Sequence, residues 1–287
     1  MGAILAEVSL RLYRRPLGDP APYRAAIQRL HATIEDVSVA AADGASLKAW
    51  FVQPEHPNGR SVVILHGVTD NRLGASGFSA MFLNKGYAVL LPDSRAHGLS
   101  GGSIATYGVL EREDVHRWAQ WLRTRAPGCT YLLGESMGAA IGLQAEPVTP
   151  QLCAAAVESP YSTFRAISYE RLGRGAHTGA LFWRTLGRPI IEFAILYTQL
   201  RYGVQLPNAN PEAAVMSAAT PTLLIAGDKD VDIPMHHAQE LERLCASHCA
   251  LWIVPGAAHG EASLVAHAEF ENRVIGWFES HDDAPAP

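Results

Sequence analysis

The sequence predicts an α/β domain: a mostly parallel sheet, opened by an antiparallel hairpin and covered by helices on both faces. Three observations carry this. Short, solidly apolar runs alternate with helical stretches through most of the 287 residues. Two β-rich segments near the start flank an Asp43-Gly44 turn signal. Residues 130–145 read as a buried strand, a tight turn and the start of a helix, with a serine between two glycines at the turn.

In chain order, Asp36–Ala42 and Ser46–Val52 form the expected hairpin. Ser61–Leu65 is an unbroken apolar run, as expected of a strand covered on both faces. A loop over His66–Leu73 leads to a helix that ends near Lys85-Gly86, with Gly86 as its C-terminal cap. Tyr87–Leu91 is the next buried strand, and Ser94–Tyr107 is a Gly/Ser-rich loop without periodicity. Leu110–Arg125 has helical spacing, with acids in its first turns where the helix dipole favours them. Thr130–Leu133, Leu152–Val157, Pro221–Ala226 and Ala250–Val254 are further strands; Ala139–Ala145, Pro234–Leu244 and Ala262–Glu279 are helices. Asp282–Pro287 is expected to be a frayed tail.

One stretch breaks the alternation. Between the strands at Leu152 and Pro221, Phe164–Leu172 and Leu181–Leu206 read as helices rich in large apolar side chains. An insertion at the C-terminal edge of such a sheet lies where ligands bind, so it is expected to form a helical cap. The organisation is then an N-terminal helical segment (1–30), a core (31–160 and 213–281) and a cap (161–212). Ala3–Tyr13 reads as an amphipathic helix with a basic end, expected to rest on the domain, with peripheral contact to a membrane as the alternative.

With 48% apolar and 18% charged residues, the chain can bury a large core and excludes extended disorder. A net charge of −5 and the lack of a basic stripe argue against nucleic acid as a partner. No apolar stretch is long enough to span a bilayer. Cys129 and Cys153 border strands and read as small core residues. Cys245 and Cys249 lack the spacing of a zinc site, so no metal is expected. Four cysteines so placed suit a reducing, cytoplasmic setting without excluding one disulfide.

The chemistry centres on Gly134-Glu135-Ser136-Met137-Gly138. A serine at the tip of a strand-to-helix turn adopts strained backbone geometry, and glycines on either side permit the close approach of neighbouring backbone. Serine needs a base in contact and a third group to orient that base. After the strand at Pro221 comes Gly227-Asp228-Lys229-Asp230-Val231-Asp232-Ile233-Pro234, with three candidate acids. After the last strand comes Pro255-Gly256-Ala257-Ala258-His259-Gly260. Both loops fall on the same sheet edge as Ser136. Of the 12 histidines, His259 has this placement, and His66 and His97 also precede glycines in loops on this edge; His236, His237, His248 and His267 fall on helices or their ends.

From the hairpin onward the sequence resembles the α/β-hydrolase superfamily, in its serine esterase branch. Gly227, Asp230, Ile233 and Pro234 match the family's G-x-x-D-x-x-[V/I]-P stretch, which implies Asp230 as the acid. His66-Gly67 resembles the family's H-G motif. Residues 93–102 resemble its D-x-R-G-H-G-x-S-x-G loop, with Ala96 in place of a glycine; in both, the histidine is structural. The resemblance implies a triad of Ser136, Asp230 and His259, and an oxyanion hole made by the N–H groups of Val68 and Met137. Tyr161, Phe182 and Trp183 are the expected substrate contacts.

The expected activity is hydrolysis of a small-molecule carboxylic ester through an acyl-enzyme, without a cofactor. A thioesterase, a lipase or a prolyl-oligopeptidase-like peptidase is the alternative, and the absence of a propeller-sized domain weakens the last. A non-catalytic binding protein on this fold and a dinucleotide-binding protein rank lower. No G-x-G-x-x-G follows the first parallel strand, and Gly134, Gly138 and Gly142 read as close helix packing.

Overall fold

The computed structural model describes residues 1–282. Apart from Asp282, the expected frayed tail lies outside the described residues. Eight strands form one sheet in the order β1-β2-β4-β3-β5-β6-β7-β8. They are β1 Thr33–Ala40, β2 Ser46–Gln53, β3 Ser61–Leu65, β4 Ala88–Pro92, β5 Thr130–Glu135, β6 Leu152–Glu158, β7 Thr222–Gly227 and β8 Cys249–Val254. The β1–β2 hairpin is antiparallel, as is β2 against β4; every pairing from β4 to β8 is parallel. The α/β-hydrolase architecture expected from the sequence is therefore present, hairpin included.

The strands alternate between two cores because successive side chains leave a strand on opposite faces. Val62, Ile64, Tyr131 and Leu133 join Trp50, Phe82, Phe270 and Phe278 on one face. Val63, Leu65 and Leu132 join Phe51, Trp118, Leu122 and Ile141 on the other. The helices are α1 Gly2–Leu10, α2 Ala21–Arg29, α3 Ser79–Leu83, α4 Glu111–Arg123, α5 Met137–Ala145, α6 Phe164–Gly175, α7 Gly179–Arg184, α8 Arg188–Tyr202, α9 Pro211–Ser217, α10 His236–Cys245, α11 Ala262–Val265 and α12 His267–Ser280.

Two expected helices differ in detail. The single helix expected over Leu181–Leu206 is broken into α7 and α8. Pro189 lacks an N–H and stands in the first turn of α8, where that loss costs nothing, and Gly203 closes α8 in the left-handed conformation, φ +69°. The helix expected over Ala262–Glu279 is likewise split at Ala266.

The cysteines correct the sequence reading: all four are in disulfides, Cys129–Cys153 and Cys245–Cys249. Cys129 adjoins β5 and Cys153 lies in β6. Pairing of these neighbouring strands, with a shift of register between Thr130 and Tyr131, brings the two Cα atoms to 5.7 Å, a contact that sequence distance conceals. Cys245 ends α10 and Cys249 begins β8, so the turn between them sets the second pair 5.4 Å apart. Cystine persists chiefly in oxidising compartments, which bears against the reducing setting that the composition suggested.

The N-terminal helix docks on the domain. Glu7 accepts hydrogen bonds from the hydroxyls of Tyr197 and Tyr202 on α8, each 2.7 Å, and Ala6 and Leu10 are buried. No helix among the described residues is long and apolar enough to cross a membrane.

Candidate active site

Ser136 stands between β5 and α5 with φ +55°, ψ −114°, a left-handed conformation that non-glycine residues avoid. The flanking glycines make the turn possible. A Cβ on Gly134 would lie 2.6 Å from the Gly138 carbonyl oxygen, and one on Gly138 would lie 2.4 Å from the Leu65 carbonyl oxygen. A Cβ on Gly142 would press to 2.5 Å of Leu132, so this glycine serves the close helix–sheet packing read from the sequence.

Three distant residues meet at the C-terminal edge of the sheet. The Ser136 hydroxyl donates to Nε2 of His259 at 2.9 Å, and Nδ1–H of His259 donates to Oδ2 of Asp230 at 2.8 Å. The other Asp230 oxygen accepts the N–H groups of Asp232 and Ile233, both at 2.8 Å. This backbone cradle selects Asp230 among the three aspartates. Asp228 accepts the Gly256 N–H, and Asp232 pairs with Arg174.

The electrostatics follow. Burial raises the pKa of Asp230, but hydrogen bonds from His259, from the Ile233 N–H and from Ser159 outweigh it, and the carboxyl lies below its ordinary value. Burial lowers the pKa of His259, and the Asp230 carboxylate more than offsets it, so the imidazole lies above its ordinary value. Ser159 escaped the sequence reading: its hydroxyl donates to Asp230 Oδ2 at 2.8 Å. It sits immediately after β6, and its position in Glu158-Ser159-Pro160-Tyr161 is the only signal that could have found it.

The remaining candidates fall in several places. Val68, Met137 and Tyr161 line one cavity with Ser136. Neither the Val68 nor the Met137 N–H is taken up by an acceptor among the described residues. The Tyr161 hydroxyl donates to the Tyr107 carbonyl at 3.0 Å. Phe182 and Trp183 lie outside the lining. Trp183 is buried with Tyr169 and Ile191 between helices, and Phe182 stands edge-on to it. Helical spacing alone does not tell which apolar face of α7 turns to a cavity and which to a neighbouring helix.

His66 and His97 do structural work. Nε2 of His66 accepts the Ser94 N–H, and burial pushes this imidazole down to about 4. Asp93 accepts the N–H groups of Arg72 and Leu99, which shapes the loop that follows β4.

The cavity measures about 330 Å³ and is mostly apolar. Its walls come from α6 (Phe164, Ile167, Leu172), from α8 (Ile191, Ala194, Ile195) and, unforeseen, from α1 (Leu5, Ala6, Val8). Among the described residues, two clusters carry metal-ligand types, Glu170/His236/His237 and Cys245/His248/Cys249. In the first, Nδ1 of His237 accepts the Ser162 N–H, so Nε2 bears the proton and donates to Glu170. In the second, the sulfurs are joined to each other. Neither presents a free set of lone pairs to an ion.

A parallel sheet with a left-handed serine at its C-terminal edge, an imidazole beside it and a carboxylate behind defines the hydrolase class of α/β proteins. Residues 62–273 match the model of the alpha/beta hydrolase family, and the chain belongs to that family. Over 233 residues it is 29% identical to the uncharacterized protein YqkD of Bacillus subtilis, covering 77% of this chain and 71% of that one. The uncharacterized protein Rv2307c of Mycobacterium tuberculosis is 24% identical over 236 residues, 80% of this chain and 74% of that one. Among solved structures, the Pyrococcus furiosus esterase Pf2001 superposes with a TM-score of 0.72 at 23% identity, over 89% of this chain and 95% of its own. The Pyrococcus horikoshii acylaminoacyl peptidase gives 0.64 at 15% identity, over 92% of this chain and 44% of its own. These structural likenesses are to the fold.

Proposed function

We propose that the protein is a serine carboxylesterase acting on esters of small to medium acyl groups through an acyl-enzyme. The observation that carries this reading is the His259 ring bridging the Ser136 hydroxyl and the Asp230 carboxylate, at the edge of an apolar cavity. Ser136 Oγ attacks the ester carbonyl carbon while its proton passes to His259 Nε2. The carbonyl oxygen becomes an oxyanion held by the N–H groups of Val68 and Met137. The tetrahedral intermediate collapses, and His259 returns the proton to the departing alcohol. Water then gives a proton to His259 and attacks the acyl carbon; the bond from that carbon to Ser136 Oγ breaks, Oγ takes the proton back from His259, and the acid leaves. Asp230 keeps the imidazole in the tautomer that presents a lone pair to Ser136.

In this reading the segment 161–212 is a cap, and its helices with α1 shape the acyl site. Tyr161 contacts the substrate beside Ser136. The volume accommodates roughly eleven water-sized groups, which suits a medium acyl chain.

A rate series on p-nitrophenyl esters of increasing chain length tests the reading. The expected result is a maximum at a medium chain, with covalent fluorophosphonate labelling that disappears in Ser136→Ala. If the folded wild type neither turns over any of these esters nor takes the label, the reading is wrong. Parallel assays with acyl thioesters and peptides decide between the ester and the other acyl derivatives that the same chemistry can cleave.

A further inference from the structure

The cavity beside Ser136 has one charged side chain in its lining, that of Arg171 on α6; no lysine, aspartate or glutamate lines it. Arg171 is exposed and makes no hydrogen bond or ion pair with any described residue. Its neighbours on the same helix are engaged: Arg165 with Glu192, Glu170 with His236 and His237, Arg174 with Asp232. Arg171 shares the lining of this cavity with Ser136, Tyr107 and Tyr161.

An apolar wall and one unpaired guanidinium together match an amphiphile. The carbon lining takes an acyl chain, because chain carbons leave water there. A guanidinium beside such a surface binds carboxylate or phosphate through paired N–H donors, more strongly than it would in open solvent. With the acyl chain on the carbon lining, the group left to meet Arg171 is carried by the alcohol portion of the ester.

We propose that Arg171 determines specificity, selecting esters that combine an apolar acyl chain with an anionic group, carboxylate or phosphate, on the alcohol portion. This rests on the esterase reading and narrows its substrate class. The residue acts by holding the substrate and takes no part in proton transfer.

Matched substrates test it. One pair is the octanoyl ester of para-hydroxybenzoate and that of its neutral methyl ester; the other is octanoylglycerol phosphate and octanoylglycerol. The wild type is expected to favour the anionic member of at least one pair by about 10-fold or more in kcat/KM, mainly through KM. The pair that shows the preference tells carboxylate from phosphate. In Arg171→Gln the ratio falls to about 1, in Arg171→Lys part of it survives, and in Arg171→Glu it inverts. Added salt shrinks the wild-type ratio.

Equal kcat/KM within both pairs, or a ratio that persists in Arg171→Gln, overturns the assignment while leaving the esterase reading intact. So does turnover of p-nitrophenyl esters with none of the four compounds cleaved. Failure on every ester together with absent fluorophosphonate labelling removes the esterase reading itself.

Discussion

Ser136 holds a backbone conformation that costs of order 1 kcal/mol or more for a non-glycine residue, and the surrounding packing enforces it. That strain aims the hydroxyl at His259. Replacing Ser136 or His259 by alanine is expected to lower kcat at least ~100-fold in the ester assay, with the fold retained by circular dichroism. The pH dependence follows from His259. In the proposed mechanism His259 must be neutral to accept the serine proton, and its pKa lies above the ordinary 6.5, so kcat/KM is expected to rise with pH through a midpoint above that value.

Ser159→Ala removes a hydrogen bond to the Asp230 carboxylate. The expected effects are a roughly 10-fold loss of kcat and a shift of the pH midpoint, two readouts that simple loosening of the fold would not move together. The same shifts act on stability. The depressed Asp230 stabilises the fold above its ordinary 3.8 and loses this as pH falls through its lowered pKa. The raised His259 stabilises below 6.5 and loses this as pH rises through its raised pKa. Both contributions are complete only between these values.

At the level of elements, two buried features tie neighbouring elements together and make their own predictions. Glu146, at the end of α5, accepts the Thr222 hydroxyl of β7 and is otherwise buried; burial pushes its carboxyl up to about 8. The folded protein therefore holds this proton more tightly than the unfolded chain, and stability declines as pH rises from about 5 toward 8. Glu146→Gln is expected to melt later than the wild type at pH 8, with the gap closing near pH 5, as differential scanning fluorimetry would read it. The Cys129–Cys153 bond joins adjacent strands across a sequence separation of 24, which contributes about 3 kcal/mol in the chain-entropy account. Heating with reductant should lower Tm by several degrees, and thiol titration of the unreduced, unfolded protein should find no free thiol. Cys245–Cys249 closes a far shorter loop and is expected to matter less.

Across the whole molecule, the cavity beside Ser136 is assembled from parts far apart in the chain: α1, α6 and α8 contribute to its lining. Filling it should shorten the accepted chain. Ile195→Trp, on the α8 wall, is expected to move the optimum of the p-nitrophenyl series toward shorter esters while fluorophosphonate labelling persists. An unchanged optimum would place the acyl chain elsewhere.

The parts legible from sequence were those with local causes. Ser61–Leu65 announces a buried strand by its unbroken apolar run, and Ser136 announces its turn through glycines whose missing Cβ atoms the structure accounts for atom by atom. The loop of Asp228, Asp230 and Asp232 and the loop of His259 stand out because each follows a strand that ends on the same edge, and the resemblance to the hydrolase family points to Asp230 among the three. What escaped was decided by contacts between distant segments. Ser159 is an ordinary serine until the β7 loop brings Asp230 to it, and α1, expected to rest on the domain, is not a cavity wall until it packs beside α6 and α8. Cys129 and Cys153 are two small residues until β5 and β6 pair. Trp183 and Phe182 looked like cavity walls because apolar periodicity marks a buried face without naming what buries it.

The sequence by itself determined the order of strands and helices, the strained turn at Ser136 and the family, since propensity, periodicity and steric need act within a few residues of one another. Only the tertiary structure decided which aspartate is cradled, which cysteines join and which helices wall the cavity, since these depend on three-dimensional distances that chain order does not encode.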